Sequence, residues 1–180
     1  MRRLAAAMLA AMMLAGCATA PKPAAPAGDA QATWEAGQEV YLAWNSTRAG
    51  WRTTGDGLQA RRLSPAKPKA AQPSKGCTVT VNYEGRLING GIFDSSFLRH
   101  EPATFPLGKV IKGWGEGVPM MRVGETWEFA IPAALAYRDR AIRIDEPGKT
   151  SIFKNSTLIF KIELLSLGAD CGVADTVKVG

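Results

Sequence analysis

The chain has 180 residues and a mass of 19.2 kDa, which suffices for one ordinary domain with appendages but not for two full domains. A composition of 46% hydrophobic and 21% charged residues excludes a wholly disordered, fibrous or polytopic membrane protein. The formal charge of +6 comes without a basic cluster or phosphate loop, so we expect no nucleic-acid partner. Three cysteines and one histidine lack the spacing of metal ligands, and we predict no metal and no cofactor.

The N-terminus has the charge and hydropathy order of a secretory signal. Two arginines precede an unbroken apolar run over residues 4–15, which is too short to span a bilayer as a mature helix. The run ends in Leu14-Ala15-Gly16-Cys17, which resembles the lipobox of bacterial lipoproteins. The resemblance implies a signal peptide over residues 1–16 and a lipid anchor on Cys17. An ordinary secretory peptide with an incidental cysteine is the alternative. The residue after the cysteine is Ala18 and not Asp, which in the lipoprotein family favours anchoring in the outer membrane, with the protein facing the periplasm.

The segment after the cysteine changes from a tether to a helix. Residues 17–33 contain three prolines among alanines and no aromatic residue, which predicts a flexible tether. Trp34, Tyr41 and Trp44 then recur near helical spacing, which predicts a short amphipathic helix over residues 34–50. We interpret its aromatic side chains as packing groups rather than as a binding site.

Period-two patterns begin further along the chain. Residues 58–63 could form a strand, and the Pro- and Lys-rich stretch 64–76 is typical of a surface loop. Val79, Val81 and Tyr83 alternate with polar neighbours, which predicts a half-buried strand. The Asn-Gly-Gly sequence that follows at positions 89 to 91 favours a tight turn.

The second half of the domain adds two strands and one short helix. Residues 127–131 and 157–167 repeat the alternating pattern of a half-buried strand. Residues 111–121 place apolar side chains at helical spacing, although their glycines and proline weaken the helix on propensity alone. These elements predict an α+β domain in which an antiparallel sheet packs on a little helix.

Seven short blocks follow one another between residues 81 and 165. They are VNYEG (81–85), GIFDSS (91–96), FPLG (105–108), VIKGW (110–114), VGE (123–125), IP with AY (131–137) and TLIF with ELL (157–165). In this order they resemble the FKBP-type peptidyl-prolyl isomerases. The lead-in over residues 41–59 is similar to that of envelope isomerases of the macrophage-infectivity-potentiator type. Those proteins dimerise through a long N-terminal helix for which this chain has no room, so a monomer is favoured and the oligomeric state stays open.

The resemblance implies a fold and a site. The fold is a twisted five-stranded antiparallel sheet wrapped around a short helix over residues 51–171, followed by a C-terminal tail over residues 172–180. An apolar pocket lies between sheet and helix. The implied catalytic residues are Tyr83, Phe93, Asp94 and Tyr137. The implied substrate-binding residues are Arg99, Val110, Ile111, Trp114, Ile152 and Phe160, and the implied hydrogen-bond donors are the Tyr137 hydroxyl and the Ile111 backbone N–H.

Several positions depart from the family pattern. Ala103 replaces an aromatic residue at the pocket rim, and Arg138 stands where glycine usually follows the tyrosine. The 19 residues over 138–156 replace a short loop that carries an Ile-Pro-Pro motif. Ile152 is the best match to the loop isoleucine, although Ile144 could serve.

The resemblance also bears on the other two cysteines. Cys77 opens one strand and Cys171 follows the last strand, and in the family these strands are antiparallel neighbours. An oxidising envelope would therefore favour a disulfide between them.

His100 is expected to be an exposed loop histidine.

Three functions follow as hypotheses. The first is an isomerase that assists the folding of exported, proline-containing proteins in the bacterial envelope. The second is an FKBP-like binding or chaperone module that has lost efficient turnover through its altered loop. The third and weakest is a structural component of an envelope complex that uses residues 34–50 as a docking helix.

Overall fold

A computed structural model describes residues 30–171 of this chain, and within that range seven antiparallel strands form one sheet. The predicted signal peptide, Cys17, most of the tether and the tail 172–180 lie outside the described residues. The strands are β1 (Arg52–Thr53), β2 (Gln59–Ser64), β3 (Thr78–Leu87), β4 (Ile92–Ser95), β5 (Ala103–Pro106), β6 (Thr126–Ile131) and β7 (Leu158–Leu167). Their order is β1-β2-β6-β7-β3-β4, with β5 also paired to β3.

The predicted antiparallel sheet is confirmed, and the seven strands correspond to the five predicted strand positions plus one short edge strand and one interruption. Strand β1 has only two residues and extends the edge of β2. Strands β4 and β5 share one edge of β3, where the short helix α2 (Ser96–Arg99) interrupts what would be one edge strand. Without β1, the sheet therefore has five strand positions, in agreement with the architecture that the resemblance implies.

The pair β3–β7 forms the centre of the sheet. Side chains on β3 alternate between buried and half-buried along all ten residues, as the period-two pattern predicts. Its partners run from Val79 opposite Leu167 to Leu87 opposite Leu158. The Asn-Gly-Gly turn closes the hairpin to β4, because Gly90 adopts a φ of +92° and the Asn89 side chain accepts a hydrogen bond from the Gly91 N–H.

Helix α3 (Lys112–Gly117) covers one face of the sheet and continues into a 3₁₀ turn, Val118–Met120. Trp114 and Val118 are buried in the main core together with Phe129 and Ile131 of β6. The predicted helix is therefore confirmed, although glycine is a poor helix former. Packing against the sheet supplies the stability that propensity does not.

Helix α1 (Ala30–Ser46) packs on the opposite face. Tyr41 and Trp51 form a second core cluster there with Ala130 and Ile159. The predicted helix over 34–50 is present, but it begins and ends four residues earlier and takes the end of the predicted tether. Alanine and glutamine at its start favour helix, and no proline follows Pro26 until well past its end. No helix within residues 30–171 is long and apolar enough to cross a membrane.

Buried amide side chains fix α1 to the sheet. Asn45, fully buried, donates to Gln59 Oε1 at 2.8 Å, and Gln59 donates in turn to the Leu42 carbonyl at 2.9 Å. At the middle of the helix, Gln38 Oε1 accepts the backbone N–H of Thr157 at 2.9 Å. The aromatic residues of α1 are thus packing groups, as predicted, and polar contacts set the position of the helix.

A disulfide joins the ends of the central pair. Cys77 precedes β3 and Cys171 follows β7, with Cα atoms 4.8 Å apart and a sequence separation of 94. These are the two cysteines that the family resemblance pairs. The bond closes a loop that contains most of the domain.

We expect Gln38→Ala to lower the free energy of unfolding by about 1–3 kcal/mol, because the buried Thr157 N–H would lose its acceptor. Urea denaturation measures this change. Glu39→Ala, an exposed position on the same helix, is the matched control and should change stability by less than about 0.5 kcal/mol. Equal stability of the two variants would show that the buried hydrogen bond contributes nothing.

Reduction of the disulfide should lower the free energy of unfolding by about 4–5 kcal/mol, because the closed loop of 94 residues restricts the unfolded chain. Urea denaturation with and without reductant tests this expectation. The double variant Cys77→Ser/Cys171→Ser should match the reduced protein and should not respond to reductant. An unfolding midpoint of the unsubstituted protein that reductant leaves unchanged would contradict the prediction.

Candidate active site

A pocket of about 950 Å³ lies between α3, the inner face of the sheet and the loop 138–156. It brings together all ten residues that the resemblance assigns to the site. These residues are Tyr83, Phe93, Asp94, Arg99, Val110, Ile111, Trp114, Tyr137, Ile152 and Phe160. Strand β3 contributes Tyr83, the β4–α2 corner contributes Asp94 and Arg99, and β7 contributes Phe160, so the pocket combines residues from several strands of the sheet.

Aromatic rings form the floor and walls of the pocket. The indole of Trp114 is buried and makes edge-to-face contacts with Tyr83, Phe105 and Phe160, at centroid distances of 5.4, 5.5 and 5.2 Å. Phe93 meets Phe160 in the same way at 5.4 Å. Edge-to-face pairs are the favoured geometry of aromatic side chains and hold each ring in place. The result is an apolar cup whose rings support one another.

One glycine makes this arrangement of rings possible. A Cβ on Gly85 would lie 2.4 Å from an edge carbon of Phe93 and 2.8 Å from one of Phe160. Strand β3 has no side chain at this position, so the rings from β4 and β7 meet directly over its backbone. Any larger residue at Gly85 would push the two rings apart and deform the pocket.

A polar cluster surrounds Asp94 on one side of the pocket. The Tyr83 hydroxyl donates to one carboxylate oxygen of Asp94, and the Arg99 guanidinium forms an ion pair with the other. Arg99 also donates to the Tyr83 oxygen at 3.2 Å, and Lys149 lies 3.5 Å from the carboxylate. Helix α2 positions Arg99: Ser95 caps the helix by accepting the Leu98 N–H, and the single turn brings Arg99 back towards Asp94.

These contacts keep the protonation states constant near neutral pH. Burial alone would raise the pKa of Asp94, but hydrogen bonds from Tyr83 and Arg99, with the charges of Arg99 and Lys149, lower it below its ordinary value. Burial and the hydrogen bond to Asp94 raise the pKa of Tyr83 to about 12. Burial, aided by the charge of Asp94, also raises the pKa of Tyr137. Asp94 is therefore ionised and both tyrosines are protonated.

Besides the buried indole N–H of Trp114 in the pocket floor, two donors in the pocket wall have no acceptor within residues 30–171. They are the Tyr137 hydroxyl and the backbone N–H of Ile111, the residue that precedes α3. Buried and half-buried donors usually have partners in folded proteins. These two groups can therefore donate to a carbonyl oxygen of a bound peptide.

The loop 138–156 forms an ordered wall of the pocket. Ile142 and Ile152 pair as an antiparallel bridge, with N···O distances of 2.8 and 2.9 Å. The Ile144 N–H donates to the Ser151 hydroxyl at 3.0 Å, and the Thr150 N–H donates to the Ile92 carbonyl at 2.7 Å. The three isoleucines line the pocket, so both candidates for the loop isoleucine, Ile144 and Ile152, contact it.

Arg138 adopts a backbone conformation that suits glycine. Its φ is +55°, in the left-handed region, where the family pattern has glycine. Its N–H donates to the Ala133 carbonyl at 2.9 Å, and its carbonyl accepts the Asn155 N–H at 2.7 Å. The turn that begins the loop is therefore kept despite the substitution, at a cost of about 1–2 kcal/mol.

The start of α1 supports the same loop from outside. Trp34 makes an edge contact with Phe153 at 5.2 Å, and its indole donates to the Ser156 hydroxyl at 3.2 Å. Asn155 donates to Glu35 at 2.7 Å. The helix to which one hypothesis assigned docking of a partner thus packs on its own domain.

Some pocket residues were missed by the sequence reasoning. Phe105 lies within a matched block. It follows Ala103 by two residues on β5, so both side chains face the same side of the strand, and this spacing could have indicated that Phe105 lines the pocket. Lys149 comes from the inserted loop, where no family position exists to indicate it. His100 is exposed and does not line the pocket, as expected.

The family profile of the FKBP-type peptidyl-prolyl cis-trans isomerases matches residues 69–165. The peptidyl-prolyl cis-trans isomerase Mip of Coxiella burnetii is 44% identical over 128 residues, which cover 71% of this chain and 52% of that protein. The probable isomerase FkpA of Neisseria meningitidis is 43% identical over 141 residues, or 78% and 48% of the two chains. A relative from Legionella longbeachae, 40% identical over 72% of this chain and 52% of its own length, is named outer membrane protein MIP. The chain spans about half the length of these curated relatives.

Solved structures agree with this assignment. The crystal structure of FkpA from Escherichia coli superposes with a TM-score of 0.66 at 36% identity, over 76% of this chain and 60% of that one. The peptidyl-prolyl cis-trans isomerase of Pseudomonas syringae gives 0.67 at 27% identity, over 79% and 99%. With a matching profile, relatives above 40% identity and a shared architecture, this chain belongs to the family of FKBP-type peptidyl-prolyl cis-trans isomerases.

Proposed function

We propose that this protein catalyses the cis-trans isomerisation of X-Pro bonds in exported proteins of the bacterial envelope. One observation carries the proposal: an edge-to-face aromatic cup around Trp114 lies beside two donors without acceptors, the Tyr137 hydroxyl and the Ile111 N–H. The cup fits the apolar ring of proline, and the donors fit the carbonyl groups on either side of it.

Isomerisation of an X-Pro bond requires little more than an apolar cup and hydrogen-bond donors. Rotation about the amide bond has a barrier of about 18–20 kcal/mol, which comes from resonance between carbonyl and nitrogen. No bond breaks, so a pocket accelerates rotation by binding the twisted amide more tightly than either planar isomer. Apolar walls remove the water that stabilises the planar, charge-separated form. Each tenfold gain in rate needs about 1.4 kcal/mol of such preference.

The pocket residues take distinct roles in this proposal. Trp114 lies under the proline ring, with Phe93 and Phe160 as walls, and the Tyr137 hydroxyl donates to the carbonyl as it leaves conjugation. Asp94 is held by Tyr83 and Arg99, so it acts as a fixed negative charge rather than as a proton donor.

A second candidate is a binding or chaperone module that has lost turnover. The inserted loop favours it, because an ordered wall that carries three isoleucines could hold a peptide too tightly for release. The aromatic cup and the two unused donors favour the isomerase. Catalysis measured on short peptides separates the two.

The location of the protein in the envelope forms part of the same proposal. The lipobox-like sequence at Cys17 supports a lipid anchor, and the disulfide between Cys77 and Cys171 fits an oxidising compartment. The relative from Legionella longbeachae named outer membrane protein MIP supports the outer membrane as the site of anchoring.

Prolyl exchange on short X-Pro peptides, measured by NMR, should show acceleration by the protein. Tyr137→Phe removes one donor to the twisted amide and should lower kcat/KM by about 3- to 10-fold, the equivalent of one hydrogen bond. Trp114→Phe, which leaves a smaller floor, should lower it by a similar or larger factor.

Matched variants on α1 serve as controls for this experiment. Tyr41→Phe and Trp44→Phe make the same chemical changes outside the pocket and should leave kcat/KM unchanged. A folded protein that accelerates no peptide would exclude the isomerase and leave the binding module.

The pH profile gives an independent test. The pKa of Asp94 is lowered and the pKa values of Tyr83 and Tyr137 are raised, so none of these groups titrates between about pH 5 and pH 9. We expect kcat/KM for a neutral peptide to be constant over that range. A bell-shaped profile centred near neutrality would show that a titrating group takes part, contrary to the mechanism proposed here.

A further inference from the structure

The charged residues at the pocket are strongly unequal in sign. Two acidic side chains line it, Asp94 and Glu146, and both are already neutralised by neighbours. Asp94 pairs with Arg99 and Lys149, and Glu146 lies 2.5 Å from the same lysine. The local negative charge is therefore balanced by two of the cations that line the pocket.

Three further cations line the pocket without an ion pair to any residue between 30 and 171. They are Lys109, Lys112 and Arg140, and all three side chains are exposed. Lys109 and Lys112 flank the Val110–Ile111 wall, whereas Arg140 stands in the turn after Tyr137, to whose carbonyl its backbone N–H donates at 3.1 Å. The unpaired positive charge thus lies beside both donors of the site.

We propose that the site selects substrates in which an acidic residue flanks the proline. This inference rests on the proposed isomerase function and specifies its substrate class. A peptide whose carbonyl accepts the Ile111 N–H brings its neighbouring residue towards Lys109 and Lys112. A peptide whose carbonyl accepts the Tyr137 hydroxyl brings a neighbouring residue towards Arg140.

Electrostatics makes this preference effective despite the exposure of the cations. A cleft with one sign of charge and apolar walls concentrates the field and raises the local concentration of oppositely charged ligands. It also disfavours ligands of like charge, so discrimination comes from both attraction and repulsion. Because the cations are exposed, salt should screen the effect.

The experiment measures prolyl exchange by NMR with the full chain and peptides that differ at one position. One series has Glu, Gln or Lys before the proline, and a second series has the same residues after it. We expect kcat/KM to fall in the order Glu, Gln, Lys, by about 3- to 5-fold per step at low salt, as exposed ion pairs allow. The differences should shrink at about 0.5 M salt.

Charge-matched variants locate the source of the preference. Lys109→Gln/Lys112→Gln should reduce the ordering in one peptide series, and Arg140→Gln should reduce it in the other. Lys67→Gln/Lys75→Gln removes the same charge as the double pocket variant from exposed lysines that do not line the pocket. This control should keep the ordering in both series. It therefore separates the effect of the three pocket cations from that of the overall charge of +6.

Each alternative outcome is distinguishable. Equal acceleration of the Glu, Gln and Lys peptides would overturn the acidic preference and leave the isomerase intact. If the Lys67/Lys75 control also loses the ordering of the peptides, the ordering comes from the overall charge. That result would overturn the role of Lys109, Lys112 and Arg140. Absence of acceleration for every peptide would instead overturn the proposed function, and with it the preference.

Discussion

The close approach of α3 to the sheet is the constraint on which the pocket depends. A Cβ on Gly113 would lie 2.4 Å from Ile131, and one on Gly117 would lie 2.6 Å from Phe129. These two glycines, four residues apart, form the face by which the helix rests on β6. Trp114 follows the first of them, so the height of the pocket floor is fixed by the absence of two side chains. A methyl group at either position would lift the floor towards the mouth.

The side chains on the polar side of the pocket are also restricted in their positions. Asp94 satisfies Tyr83 and Arg99, so three polar side chains hold one another in place at the edge of an apolar cup. Fixed charges and dipoles need no reorganisation when a substrate amide twists. The pocket therefore combines apolar surface, immobile polar groups and two unused donors, which suits a reaction in which only the distribution of charge along one amide changes.

The sequence predicted β2, β3, β6 and β7 because a half-buried strand shows its period directly, as Val79, Val81 and Tyr83 do. The strands β1, β4 and β5 have two to four residues, which is too short for a period to show. The lining of the pocket could be predicted from the sequence blocks shared with the family, because those blocks contain the residues that the resemblance assigns to the site. Helix α3 was harder to predict, because its glycines oppose helix formation locally and favour it only through contact with the sheet. The loop 138–156 was beyond prediction: the Ile142–Ile152 bridge and Lys149 depend on contacts with distant elements. The start of α1 was missed because alanine suits both a tether and a helix.

The support of the pocket loop by α1 has a consequence for how such a site can diversify. The C-terminal end of the loop is held outside the pocket by Trp34 and Gln38, and its turn at Arg138 is held by backbone hydrogen bonds. None of these contacts uses the side chains of Ile144 or Lys149, which line the pocket. The residues of the loop that line the pocket can therefore change without loss of the contacts that hold its two ends, so the lining of the pocket is free to diversify while the fold that supports it stays constant.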